Sequence, residues 1–126
     1  MRLGNIDIPR ETCQLVGNIL GRVGDKWSVL IIVLLRERPM RYSELERQIE
    51  TVSKKMLTRT LRNLERDGFV NRTVTPSIPP RVDYQLNDLG REVMVPLDEL
   101  ARWALSNKDK IVEARLRYDA AQDEKE

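Results

Sequence analysis

The spacing of apolar residues changes at Gly68, and this change limits the fold more than any other feature of the chain. Before Gly68 the apolar residues recur at three- and four-residue steps, as on one face of a helix: Leu57, Leu61 and Leu64. After it they alternate with polar residues over 70–74 and 82–86, as in β-strands. A proline-rich stretch lies between the two predicted strands. The sequence therefore predicts a helix, a glycine stop and a β-hairpin.

The predicted helix has a signal at each end and one basic face. Ser53 suits the N-cap, where its oxygen can accept from a free backbone N–H, and Gly68 suits the position after the last turn. Basic residues also recur at helical steps, on the side away from the leucines: Lys55, Arg59, Arg62 and Arg66. The leucine side must pack on a core, so the basic side is left for solvent or for a polyanion.

A helix is also predicted over 26–35, with Asp25 as its N-cap. Its residues are apolar nearly all round, so we expect it to be buried on every side at the centre of the core. Pro39 ends it. Residues 40–42 are just long enough for a minor third strand beside the hairpin.

A short helix comes next. Ser43 and Glu46 have the spacing of a capping box, which predicts a helix to about Ile49. A few residues then lead to the basic helix, so the pair has the helix-turn-helix arrangement over about 43–67, with the hairpin as a wing over about 69–86. The fold class predicted is mainly α with a small β-hairpin (α+β), a winged helix-turn-helix domain.

Helices are predicted at both ends of the chain, over about 9–22 and 88–118. Pro9 suits a first helical turn, Asn87 suits the cap of the last helix, and Pro96 is expected to kink that helix without ending it. Their apolar residues outnumber the surface that one small domain offers. We therefore expect the chain to be a single domain, 1–126, whose terminal helices dimerise.

The net charge of +2 is small, but basic residues are concentrated in one segment. Residues 36–82 hold eleven basic and six acidic side chains, a net charge of +5. This excess lies on the predicted helix-turn-helix and wing. Such a pattern is typical of a surface that meets nucleic acid.

Composition also argues against several classes of protein. One cysteine and no histidine leave no intrachain disulfide, no cysteine-based zinc site and no expected cofactor or metal. The sequence has neither a glycine-rich phosphate loop nor a Gly-x-Ser-x-Gly elbow, so no enzyme activity is predicted. No signal peptide or membrane-spanning run is evident, so we expect a soluble cytoplasmic protein.

Four blocks of sequence resemble a known family: GDKW at 24–27, RYSEL at 41–45, SKKMLTRTLRNLERDGFVNR at 53–72 and PPRVDYQLNDLG at 79–90. Over roughly residues 13–104 the chain resembles the HxlR-type branch of winged helix-turn-helix bacterial transcriptional regulators, relatives of the MarR-type proteins. The resemblance implies a homodimer that binds an inverted-repeat operator near a promoter, as repressor or activator.

The predicted contacts with double-stranded DNA differ in role along the chain. Side chains near the start of the basic helix are expected to reach base edges in the major groove: Lys54, Lys55, Thr58 and Arg59. The other predicted contacts are to phosphate or, from the wing, to the flanking backbone or minor groove: Ser53, Arg62, Arg66, Arg72 and Arg81. The alternatives are a merely solvated basic face, or a winged-helix protein-interaction module without DNA affinity.

Cys13 has two interpretations. It lies the same distance before Trp27 as the cysteine for which the family is known, which implies a redox or electrophile sensor. The family usually has proline next, whereas this chain has Gln14, so Cys13 is expected within the first helix. It is otherwise a small buried hydrophobic residue. No small-molecule effector is indicated by the sequence.

Overall fold

The computed structural model describes residues 2–125 and, within them, every side chain except that of Leu3. In chain order the elements are β1 (Arg2–Leu3), β2 (Ile6–Asp7), α1 (Arg10–Val23), α2 (Lys26–Glu37), β3 (Met40–Arg41), α3 (Tyr42–Gln48), α4 (Lys54–Arg66), β4 (Val70–Thr75), β5 (Arg81–Leu86) and α5 (Asp88–Lys125). The predicted fold class is confirmed: helices predominate, and the hairpin follows the helix-turn-helix pair.

The chain divides between Met94 and Val95 into two compact units. The first contains β1 to β5, α1 to α4 and the start of α5, and the second is the remainder of α5. Pro96 lies inside α5 and does not end it, as predicted. The organisation of the chain as a single functional domain stays a prediction.

The leucine stripe of α4 forms one side of the core of the first unit. Leu57, Leu61 and Leu64 are at most 1% exposed. α4 packs on α2, and the sheet closes the core from the other side. The other fully buried apolar side chains are Ile31, Ile32, Leu35, Leu45, Val70 and Leu86. Burial of a leucine contributes about 1.5–3 kcal/mol, so this stripe determines which side of α4 faces inward.

Both ends of α4 are closed by the residues that the sequence indicated. The hydroxyl of Ser53 accepts a hydrogen bond from the backbone N–H of Met56 at 3.1 Å. At the other end Gly68 has a φ of 85°, and the N–H of Phe69 donates to the carbonyl of Leu64 at 3.0 Å. This is a Schellman motif, for which glycine is the preferred residue.

The wing belongs to a three-stranded antiparallel sheet in the order β3-β5-β4. Met40 pairs with Tyr84, and Tyr84 pairs with Arg72 on its other side. Directly paired residues point to the same face of a sheet. Since Met40 is buried, Tyr84 and Arg72 lie on the face of the sheet that is turned toward the core. The predicted minor third strand is confirmed as β3.

The prediction that α2 is buried on every side is wrong for one side. Leu30 and Val33, three residues apart on one side of α2, are each 38% exposed. A second difference lies at the N-terminus, where β1 and β2 pair as a small hairpin through a turn at Gly4, whose φ is 60°. From the sequence this segment was expected to be disordered or a short arm.

The short helix also begins differently from the prediction. α3 starts at Tyr42, one residue before Ser43, so Ser43 and Glu46 do not form the expected capping box. Instead the carboxylate of Glu44 accepts from the backbone N–H of Arg41 at 3.2 Å. The hydrogen bond from Arg38, followed by that from the Arg41 backbone, holds the pKa of Glu44 below its usual value of 4.5.

Asn87 and Gly90 join the start of α5 to the end of α4. The side-chain oxygen of Asn87 accepts from the N–H of Gly90 at 3.0 Å, and its NH₂ group donates to the carbonyl of Gly68 at 2.5 Å. The predicted cap is therefore present. Gly90 lies so close to the carbonyl of Phe69 that a Cβ atom would overlap it, and would approach Leu86 Cδ2 to 2.8 Å.

We expect Gly90→Ala to destabilise the protein by about 1–3 kcal/mol, because the added methyl group would force the helix away from backbone that cannot yield. Thermal or urea unfolding followed by circular dichroism measures the change. Gly17→Ala is the matched control: it also lies inside a helix, nothing lies within 4 Å of its added Cβ, and it should stabilise by up to about 1 kcal/mol. Equal effects of the two substitutions would contradict the close approach.

Candidate nucleic-acid interface

The face of α4 opposite the leucine stripe is basic and exposed to solvent. Its exposed basic side chains are Lys54, Lys55, Arg59, Arg62 and Arg66. All but Arg66 line a shallow groove of about 510 Å³ along the helix, together with Thr58 and Asn63. The basic residues of α4 that the sequence singled out therefore lie on one exposed face of this helix. The major groove of DNA is wide enough for an α-helix, and exposed basic side chains suit its negative charge.

Tyr42 fixes the first turns of α4, and sequence reasoning assigned it no part in the interface. Its hydroxyl donates to the carbonyl of Lys54 at 3.1 Å and shares a hydrogen bond with the Thr58 hydroxyl, also at 3.1 Å. Thr58 was predicted to reach base edges, and in the structure its hydroxyl already has this partner. Nothing in the sequence signals the contact, because the two residues are 16 positions apart.

The two arginines of the wing point in different directions. Arg72 lies on the face of the sheet turned toward the core, opposite Tyr84. Arg81 lies on the opposite face of the sheet, where its Nε donates to the carboxylate of Asp83 at 3.0 Å. The ion pair at Arg81 is about half exposed, with 51% of its side chain accessible, so it is weak and open to competition.

Arg62 and Arg72 both line a cleft between α4 and the wing. This cleft has a volume of about 340 Å³. The side chains that line it are Tyr42, Thr58, Arg62, Glu65, Arg72 and Tyr84. The structure thus brings together one arginine predicted on the helix and one predicted on the wing, whereas Arg66 and Arg81 lie outside the cleft.

Cys13 lies in the second half of the first turn of α1. Its thiol is partly buried and lies 3.6 Å from the carbonyl oxygen of Ile8, to which it donates. The expected position within the first helix is confirmed. Among the described residues no cluster of histidine, cysteine and carboxylate side chains could hold a metal ion.

This combination of a basic, outward-facing second helix and a following β-hairpin defines a winged helix-turn-helix protein. The sequence profile of the HxlR-like helix-turn-helix family matches residues 22–112. The chain belongs to that family, which comprises transcriptional regulators and is not a class of enzymes. Within residues 2–125 no helix has both the length and the apolar character that crossing a membrane requires.

Known proteins similar to the chain agree with this assignment. An uncharacterized HTH-type transcriptional regulator of Methanothermobacter thermautotrophicus is 43% identical over 84 residues, which is 67% of this chain and 64% of that protein. The solved transcriptional regulator ytfH from Salmonella typhimurium is 40% identical, with a TM-score of 0.70 over 79% of this chain and 89% of its own. The redox regulator HypR in its reduced form is 32% identical, with a TM-score of 0.70 over 77% and 96%.

We expect Tyr42→Phe to lower the free energy of unfolding by about 0.5–1.5 kcal/mol, because the hydroxyl that ties α3 to α4 is lost. Chemical denaturation gives the value. Tyr84→Phe is the matched control, since no hydrogen bond to the Tyr84 hydroxyl is present among residues 2–125, and it should leave stability unchanged. An unchanged free energy of unfolding in Tyr42→Phe would show that the hydroxyl does not stabilise the contact between α3 and α4.

Proposed function

We propose that two copies of this chain form a homodimer that binds an inverted-repeat DNA operator and regulates a nearby promoter. The observation that carries this proposal is the division of α4 into a buried leucine side and an exposed basic side. Burial fixes the rotation of the helix, so its cations are held outward before DNA arrives. Such preorganisation lowers the cost of binding.

The proposed contacts follow the length of α4 and continue to the wing. The first turns, with Lys54, Lys55 and Arg59, would enter the major groove and read bases. Arg62 and Arg66 would meet phosphates, as would Ser53 with its neighbouring backbone N–H groups. The remaining contacts are proposed for Thr58, which would act at the base edges together with Tyr42, and for Arg72 and Arg81 on the wing.

Exposed apolar side chains support dimerisation, and each unit of the chain has its own set. In the first unit, α1 has no buried residue, and Leu15 and Leu20 are about 60% exposed. In the second unit the exposed large apolar side chains are Val95, Leu100, Trp103, Leu105, Val112, Leu116 and Tyr118. Apolar surface on this scale usually marks an interface with another protein. A symmetric dimer would bury apolar surface of this kind on both chains.

Binding of the purified protein to DNA from its own upstream region tests the proposal, measured by fluorescence anisotropy at two salt concentrations. We expect Arg59→Ala to weaken operator binding about 5- to 150-fold, as for loss of one good base contact, with less effect on unrelated DNA. Arg102→Ala is the control, because Arg102 is an exposed arginine of α5 next to Glu99. Two chains should bind each operator, with half-sites about 34–36 Å apart or a multiple of that.

Two results would contradict the proposal in different ways. Salt-sensitive binding without sequence preference, unchanged by Arg59→Ala, would mean that α4 does not read bases. Absence of binding at both salt concentrations would favour the protein-interaction module. For duplex DNA the logarithm of affinity falls with the logarithm of salt by about 0.9 for each phosphate neutralised, so the slope counts the contacts.

An oxidant response through Cys13 is the second part of the proposed function. The relative HypR is described as a redox regulator and has been solved in oxidized and reduced forms, which supports the same role here. With one cysteine in each chain, a disulfide can form only with a second chain or with a small thiol. Either product would alter packing at the start of α1.

We expect diamide to lower the operator affinity of the wild type at least several-fold, and to leave Cys13→Ser unaffected. The measurement is DNA binding before and after oxidation, with recovery on adding dithiothreitol. The serine variant also serves as the folding control, because it should bind DNA like the untreated wild type. A thiol that fails to react in the native protein, or that reacts without loss of affinity, would identify Cys13 as structural.

A further inference from the structure

The cleft between α4 and the wing collects positive charge from two separate elements. Arg62 comes from the third turn of α4, and Arg72 comes from the middle of β4. The pairing of Arg72 with Tyr84 places both on the face of the sheet turned toward the core, which directs Arg72 toward α4 and not outward along the wing. The cleft is therefore built by the fold, not by one flexible loop.

The cations of this cleft have no ion-pair partner in the part of the chain that the structure describes. Neither Arg62 nor Arg72 forms an ion pair with any of the residues 2–125, and the hydroxyl of Tyr84 has no hydrogen bond there. The Tyr42 hydroxyl, in contrast, is committed to Lys54 and Thr58. Two guanidinium groups and one hydroxyl donor thus share a cleft of about 340 Å³. The planar donors of arginine match the oxygens of a phosphate group.

We propose that this cleft binds one phosphate of the DNA backbone, with Arg62 and Arg72 contacting the same phosphodiester and the Tyr84 hydroxyl donating a third hydrogen bond. The inference rests on the proposed function and goes beyond it, because it joins a helix contact and a wing contact at a single point on the DNA. One phosphate held from both elements would fix the angle at which α4 enters the groove.

Glu65 should affect DNA affinity in the opposite direction to the two arginines of the cleft. Its carboxylate lines the same cleft and, like the two arginines, has no ion-pair partner among the described residues. A carboxylate beside a bound phosphate repels it. Removal of this charge should therefore strengthen binding, and only at the phosphate that occupies the cleft.

The test is a scan of the operator with single methylphosphonate substitutions, each of which removes the charge of one phosphate. The proteins compared are the wild type, Arg62→Ala, Arg72→Ala, the double variant and Tyr84→Phe. We expect each arginine substitution to weaken binding of unmodified DNA about 10- to 100-fold, as for a lost charged hydrogen bond, and Tyr84→Phe to weaken it about 2- to 10-fold. The double variant should lose much less than the product of the single effects.

One modified position should identify the bound phosphate. In that duplex the wild type binds more weakly, and Arg62→Ala, Arg72→Ala and Tyr84→Phe then have little further effect. Glu65→Gln should raise affinity for unmodified DNA several-fold and lose this gain at the same position. Arg66→Ala is the matched control, because Arg66 lies on the same basic face of α4 but outside the cleft. Its effect on binding should persist in the DNA that carries this modified phosphate.

Several results would overturn this inference while leaving the proposed function intact. The effects of Arg62→Ala and Arg72→Ala could multiply in the double variant, or vanish at different modified phosphates. Inorganic phosphate could bind in the cleft at constant ionic strength while no single methylphosphonate in the DNA removes the effects of the variants. That result would identify a site for a free anion. Tyr84→Phe keeps the test valid if an arginine variant unfolds. Failure of the wild type to bind any DNA would instead refute the proposed function itself.

Discussion

Burial of the leucine stripe of α4 is the interaction on which the other features depend. Burial of the three leucines allows only one rotation of α4 about its own axis. This rotation determines where every exposed side chain of the helix points. Burial of this size exceeds what any single surface ion pair contributes, so surface charge does not set the orientation. The basic face is therefore a consequence of core packing, and core substitutions would alter it as much as substitutions at the surface.

Polar contacts then fix the position of α4 along its own axis. The Ser53 cap and the Gly68 turn define where the helix begins and ends, and Tyr42 ties its first turns to α3. At its far end Asp67 accepts from Arg22 of α1 at 2.6 Å, with both side chains about three-quarters buried. Contacts with α1, α2 and α3 therefore hold the helix between neighbouring elements.

The sequence predicted α4 well because its period and both end signals lie within 16 residues. It could not predict the cleft, since that requires the register of β4 on β5 and the approach of Tyr42 to Thr58, and neither leaves a local pattern. The hairpin of β1 and β2 was missed because two-residue strands are too short to show a period. The exposed side of α2 was missed because an all-round apolar helix does not indicate whether its own chain or another surface covers each side.

Gly90 and Asn87 have a consequence for how the chain tolerates insertions and deletions. The Asn87 cap and the close approach of Gly90 to Phe69 lock the rotational phase of α5 at its first turn. Each residue inserted after this point would turn all that follows by about 100° and advance it by about 1.5 Å. A single insertion between Gly90 and Met94 would therefore turn the buried Met94 away from the core. Changes of length between Gly90 and Met94 should therefore survive only in multiples close to whole helical turns.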